Sequence, residues 1–150
     1  MNVLRLLLLA SLVVGCADDP PPPFSGEIEC RGGDCVCPGT GDCRMNCLGD
    51  CNLQCAGSGG CDFACGVGCK TACTGSGPCA VAVGDEGRVS CTGSGGCDVL
   101  CDADCTVECP GSGTCIARCK AGTNCKIERC GEDVKTCPNG ALVCHGACPP

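Results

Sequence analysis

From Cys37 to Cys125 the chain advances in short bursts of alternation. Cys97-Asp98-Val99-Leu100-Cys101 and Cys105-Thr106-Val107-Glu108-Cys109 place cysteine, valine and cysteine at every second position, with polar or mixed residues between them. A period of two predicts strands with one buried face. Met45, Leu53 and Phe63 take the same middle position in earlier bursts, and Thr71 is the polar exception. A three-residue turn separates paired strands, Asp102-Ala103-Asp104 in one case. A Gly-Ser-Gly phrase, Gly-Thr-Gly in the first unit, precedes each first strand, where glycines permit positive φ and a sharp reversal.

These bursts repeat. Cysteines stand at 37, 55, 73, 91 and 109, a spacing of 18 residues, and each opens a phrase such as Cys55-Ala-Gly-Ser-Gly-Gly-Cys61 or Cys91-Thr-Gly-Ser-Gly-Gly-Cys97. Self-similarity at a fixed short period is the signature of a stacked array. The predicted fold is all-β: a small, disulfide-rich, two-sided β-solenoid of five 18-residue coils, with no conventional hydrophobic core. Successive coils pair as parallel strands, so five coils make a rod about 24 Å long.

Cysteine spacing within the unit sets the expected bridges. One adjacent set is Cys47 with Cys51, Cys65 with Cys69, and Cys101 with Cys105 across the three-residue turn. The other places Cys43, Cys61, Cys79, Cys97 and Cys115 each near a cysteine that opens a unit, one of Cys37, Cys55, Cys73, Cys91 and Cys109. In the third unit both members of the first set vanish together, leaving Val83 and Gly87. In the fifth unit Cys119 keeps its place and Cys125 stands two residues late, so that pair survives across a longer turn. Bridges running up the stack are the alternative, and they leave an odd cysteine in each five-member column. Beyond the repeats, Cys144-His-Gly-Ala-Cys148 repeats the three-residue turn spacing. Connectivity is not strictly deducible from spacing.

Composition explains why sulfur carries this burden. Of 150 residues, 25 are cysteine and 25 glycine, while aromatics are 1% and tyrosine and tryptophan are absent. Cysteine at this level marks a disulfide scaffold in an oxidising compartment. The formal net charge of −7 argues against nucleic acid as a partner.

Residues 1–15 set the address. Arg5 precedes an apolar run from Leu6 to Val14, too short to span a bilayer and shaped like a secretory leader. The junction Leu12-Val13-Val14-Gly15-Cys16 resembles the bacterial lipobox, with Val13 in place of the usual leucine. The resemblance implies cleavage before Cys16 and acylation of its thiol, so a membrane is the first expected partner. A plain signal peptide is the alternative. Pro20 to Pro23 then form a semi-rigid spacer. Ala17, in place of aspartate, points to the outer membrane over the inner. The domain reading is a lipoprotein signal peptide (1–15), a lipidated cysteine and proline-rich tether (16–29), an N-terminal cap (30–36), five repeats (37–126) and a cysteine-rich C-terminal cap (127–150).

Candidate chemistry is sparse. Thiolate metal sites favour Cys-x-Cys and Cys-x-x-Cys; the chain has Cys35-Val36-Cys37 alone of the first kind and none of the second. Asp62 and Asp98 lie two coils apart with Ala80 between them, which breaks any calcium ladder. No outward threonine ladder supports ice binding. His145 is the only histidine and sits between two cysteines, and the serines fall mostly in glycine turns. The reading is therefore no metal, no cofactor and no enzyme. Arg118, Lys120, Lys126 and Arg129 gather in the last coil and form a candidate patch for an envelope protein or polymer.

Taken together, the lipobox, the proline spacer and the Cys-(Thr/Ala/Pro)-Gly-Ser-Gly repeats resemble the cysteine-rich repeat lipoproteins of myxobacteria and related bacteria. That resemblance implies an exported, lipid-anchored envelope protein and no particular mechanism. The expected function is a structural or adhesive module. The alternatives are a binding module for an envelope partner and, behind it, thiolate metal binding.

Overall fold

The computed structural model describes residues 26–150. The leader, Cys16 and the proline spacer lie outside the described residues. Twelve of the strands wind into six coils. The first coil contains β1 (Gly26–Cys30) and β2 (Gly33–Cys37), the second β3 (Cys43–Gly49) and β4 (Cys51–Cys55), and the third β5 (Cys61–Val67) and β6 (Lys70–Cys73). β7 (Cys79–Val83) and β8 (Arg88–Cys91), β9 (Cys97–Cys101) and β10 (Cys105–Glu108), and β11 (Cys115–Cys119) and β12 (Cys125–Glu128) complete the stack. Odd-numbered strands form one parallel face and even-numbered strands the other. Six coils at the usual strand spacing make the rod about 29 Å long.

The register follows the repeat. Met45 lies opposite Phe63, Phe63 opposite Val81, and Val81 opposite Val99, each pair 18 residues apart. Alternation sends these middle residues inward, and Met45, Phe63, Val99 and Val107 are fully enclosed. The interior is thus two single-file columns of mid-sized side chains, flanked on each side by sulfur. Thr71 occupies one such position at 3% exposure, and its Oγ1 has no hydrogen-bond partner.

Bridges close both ends of the coils. Cys47–Cys51, Cys65–Cys69 and Cys101–Cys105 span the three-residue turn. Cys37–Cys43, Cys55–Cys61, Cys73–Cys79, Cys91–Cys97 and Cys109–Cys115 span the glycine turn. Cys119–Cys125 closes the longer turn. Their Cα–Cα separations of 6.0–6.5 Å lie in the bridgeable range, well inside the roughly 10 Å gap between packed sheets. The coil is therefore pinched at its corners and wide at its middle.

The stack begins one coil earlier than the repeat phrase. β1 pairs with β3 from Gly26↔Cys43 to Cys30↔Cys47, and β2 pairs with β4 from Gly33↔Cys51 to Cys37↔Cys55. Residues 30–36 are therefore part of a full coil and not a separate cap. Its bridge is irregular: Cys35 lies opposite Leu53, in the middle column, and reaches diagonally to Cys30. Gly32 and Gly33, at φ 94° and 77°, make this reversal.

The Gly-Ser-Gly turns need glycine for a different reason from the one expected. Gly75, Gly77, Gly93 and Gly95 are not among the positive-φ residues. A Cβ on Gly75 would instead overlap the carbonyl of Gly57 one coil below, and one on Gly95 the carbonyl of Gly77. The turns stack backbone on backbone, and their amides bond between coils, as in Thr92 and Gly93 donating to the Cys73 carbonyl at 3.0 Å. Positive φ recurs at the opposite turn, at Asp50, Gly68, Glu86 and Asp104, and in the glycine turns it occurs only at Gly39 of the first, Gly-Thr-Gly, phrase.

The C-terminal segment ends the odd-numbered face. β13 (Lys135–Thr136) and β14 (Leu142–Cys144) run antiparallel, and β14 lies antiparallel on β11 with Cys144 opposite Cys115. Cys144 and Cys148 do not pair with each other. Cys144 faces the interior, fully buried, and bonds Cys130, while Cys148 bonds Cys137. The left-handed backbone of His145, φ 55°, turns the chain between the two cysteines. The final edge of this face is a strand of two residues, a poor template for further pairing.

Candidate functional site

Sulfur from neighbouring coils comes close. One sulfur each from Cys47, Cys65 and Cys69, and likewise from Cys91, Cys109 and Cys115, lie within 4.8 Å of one another. All of these atoms are oxidised, in bridges between strands consecutive in the chain. They lack the thiolate charge that a soft metal needs. Cys130, Cys144 and His145 form another such group, and there the two cysteines are bonded to each other.

The cations of the last coil are divided among surfaces. Arg118 stands on β11, on the odd-numbered face, where its guanidinium donates to both oxygens of Asp98 at 2.7 and 2.8 Å. Lys126 stands on β12, on the other face, with Nζ 2.6 Å from Glu128 Oε1. Arg129 lies 3.7 Å from Glu108, and Lys120 is exposed in the turn between the faces. Alternation and the sheet change between β11 and β12 separate the four, so they form no single patch. Lys126, by hydrogen bond and charge, holds the Glu128 carboxyl below the ordinary range, with smaller help from Arg88 and Arg129.

A different pair of cations does come together. Lys70 on β6 lies directly opposite Arg88 on β8, and both are exposed. Among the described residues neither forms an ion pair, whereas Arg44, Arg118, Lys126 and Arg129 each have a carboxylate within 4.0 Å. Like charges opposed on neighbouring strands repel. The pair borders a shallow depression of about 460 Å³ on the even-numbered face, floored by Ala72 and Ser90 and flanked by Asn52 and Gln54. The column continues through Thr106 to Lys126, whose membership is hidden in the sequence by the two-residue insertion before Cys125. Counting every eighteenth residue from Asn52 finds Lys70 and Arg88; only the structure adds Lys126.

Protein-family models, curated proteins and solved structures were compared with the chain, and none matches.

Two further features complete the surfaces. His145 is half-buried: its backbone amide donates to Glu132 at 2.9 Å and its carbonyl accepts from Thr114 at 2.9 Å. Its role in the fold is thus to tie the C-terminal segment to the glycine turn of the last coil. An apolar groove of about 770 Å³ runs along the turn edge of the odd-numbered face. Ala64 and Ala82 line its floor, and Leu48, 96% exposed, stands at its rim.

Proposed function

We propose that the protein is an exported lipoprotein of the bacterial cell envelope that acts without catalysis, as a stiff structural or adhesive module. The observation that carries this reading is the use of disulfides at the corners of the coils in place of a broad hydrophobic interior, with twelve bridges among the described residues. Such a construction persists only where thiols are kept oxidised. Cys16, with a leader before it and a proline spacer after it, supplies the anchor, and more than one acyl chain makes anchoring durable. The outer membrane is the proposed location.

Labelled palmitate tests the anchor. Incorporation should be abolished by Cys16→Ser, and globomycin should block processing of the unaltered precursor. Failure to incorporate lipid, with normal export, would reduce the protein to a freely secreted one.

A second reading, a binding module for an envelope polymer, is favoured by the unpaired Lys70 and Arg88 on the even-numbered face. A pull-down from envelope material with and without those two charges tests it.

A further inference from the structure

We infer that the outer surface of the even-numbered face binds a linear, sparsely carboxylated polysaccharide, laid along the stack with one carboxylate on the Lys70–Arg88 pair. This deepens the binding-module reading and rests on it. Two observations carry the inference. First, in a chain of net charge −7, Lys70 and Arg88 stand on adjacent rungs, and among the described residues neither has a carboxylate within 4.0 Å. The sheet fixes the two backbone positions on adjacent rungs, and an anion received between the side chains replaces their repulsion with charge-assisted hydrogen bonds. Second, the surroundings fit sugar hydroxyls: the depression offers the amide of Gln54, the hydroxyl of Ser90 and the amide oxygen of Asn52, whose Nδ2 donates to Asp34 at 2.7 Å, beside the two cations.

The same surface argues against a denser polyanion. Asp34 and Glu108 stand near its two ends, and Glu128 lies beyond Glu108 on the last rung. They would repel a polymer charged at every unit but tolerate one with neutral sugars between its carboxylates. Its outward residues include no aromatic side chain on which a nucleic-acid base would stack. Rungs repeat every ~4.8 Å along the stack, and an extended pyranose chain advances by a comparable distance per sugar. Hydroxyls of successive sugars would therefore meet equivalent positions on successive coils.

Fluorescence anisotropy of labelled gellan oligosaccharides, which carry one carboxylate per four sugars, tests the inference on the purified full chain at low ionic strength. Binding should saturate and weaken with salt. Lys70→Glu and Arg88→Glu should each weaken it about tenfold, the scale of one lost charge-assisted contact. Lys120→Glu makes the same charge change in the turn and should leave binding unaltered. All three variants should keep the unreduced mass of the fully bridged protein, which separates lost contacts from lost folding. Absence of saturable binding overturns the inference, as does an equal loss with Lys120→Glu. Equal binding of neutral dextran also overturns it, and tighter binding of oligothymidylate would reassign the face to nucleic acid. Since the assay is done in solution, its failure leaves lipid anchoring standing, and failure of lipid incorporation in cells leaves this result standing.

Discussion

The fourth coil invites a bridge that the chain does not make. Val83 lies opposite Cys65 on one side and Cys101 on the other, so it occupies a cysteine column. Gly87 occupies the facing column, and a Cβ there would lie 2.7 Å from Val83 Cβ and 2.8 Å from its Cγ2. The valine fills the space of both sulfurs, and glycine opposite is the condition for its fitting. Val83→Cys with Gly87→Cys should therefore restore a bridge flanked by Cys65–Cys69 and Cys101–Cys105, each with Cα atoms 6.1 Å apart. Gly87 is not among the positive-φ residues, so its backbone suits cysteine. Closing a five-residue loop removes about 7 cal/mol/K from the unfolded chain, or about 2 kcal/mol at room temperature. Losing the valine hydrocarbon costs about 0.8 kcal/mol, and small shifts of the rung take a further share. The net expectation is a gain of about 1 kcal/mol, read as a higher guanidinium midpoint with unchanged slope. Gly87→Ala alone should do the reverse, by roughly 1–3 kcal/mol, because it overpacks against Val83. A double variant that folds but retains two alkylatable thiols would show that positions 83 and 87 do not face each other.

Three other outcomes follow from particular contacts. Gly75→Ala or Gly93→Ala should lower stability by roughly 1–3 kcal/mol, since each new methyl overlaps a carbonyl of the coil below; thermal unfolding reads this, and an unchanged midpoint would mean that the turns do not stack so closely. Thr71→Val should stabilise by about 1 kcal/mol, because it removes a buried hydroxyl without a partner while keeping the shape; a loss of stability would mean that the hydroxyl is satisfied. The Glu128 carboxyl, held low by Lys126, should titrate by carbon NMR below an ordinary glutamate. Any stability it lends is present above the unfolded pKa and fades as pH falls through the folded one. Lys126→Ala should move that titration upward, and an unmoved titration would place the cause elsewhere.

What could be read in advance is what repeats. The 18-residue spacing carries the coil, the strand faces and the bridges across the three-residue turn, because each depends on residues a few positions apart, copied along the chain; which cysteine closes the glycine turn comes from the structure. The first coil escaped that reading because Cys35 occupies a middle-column place, five residues from Cys30, and no glycine phrase separates it from a repeat before it. Cys130–Cys144 escaped because its partners meet only when β14 folds back on β11, a contact no periodicity encodes. The Gly-Ser-Gly motif was rightly placed in the turns but wrongly explained: spacing marks a reversal without saying what lies 18 residues below. For the surface, proximity in sequence was the wrong guide. Arg118 and Lys126 are near neighbours along the chain and stand on opposite faces, whereas Lys70 and Arg88 are 18 residues apart and stand on adjacent strands.

Which sulfurs are joined decides whether the coils are stapled at their corners. Electron-transfer fragmentation of the unreduced protein, after alkylation of any free thiol, reads this directly. It should find no alkylated thiol among Cys30 to Cys148, with Cys55 bonded to Cys61, Cys65 to Cys69 and Cys101 to Cys105, every repeat bridge joining strands consecutive in the chain. Bridges between like positions up the stack, such as Cys47 to Cys65, or a folded protein with most of its thiols free, would contradict this.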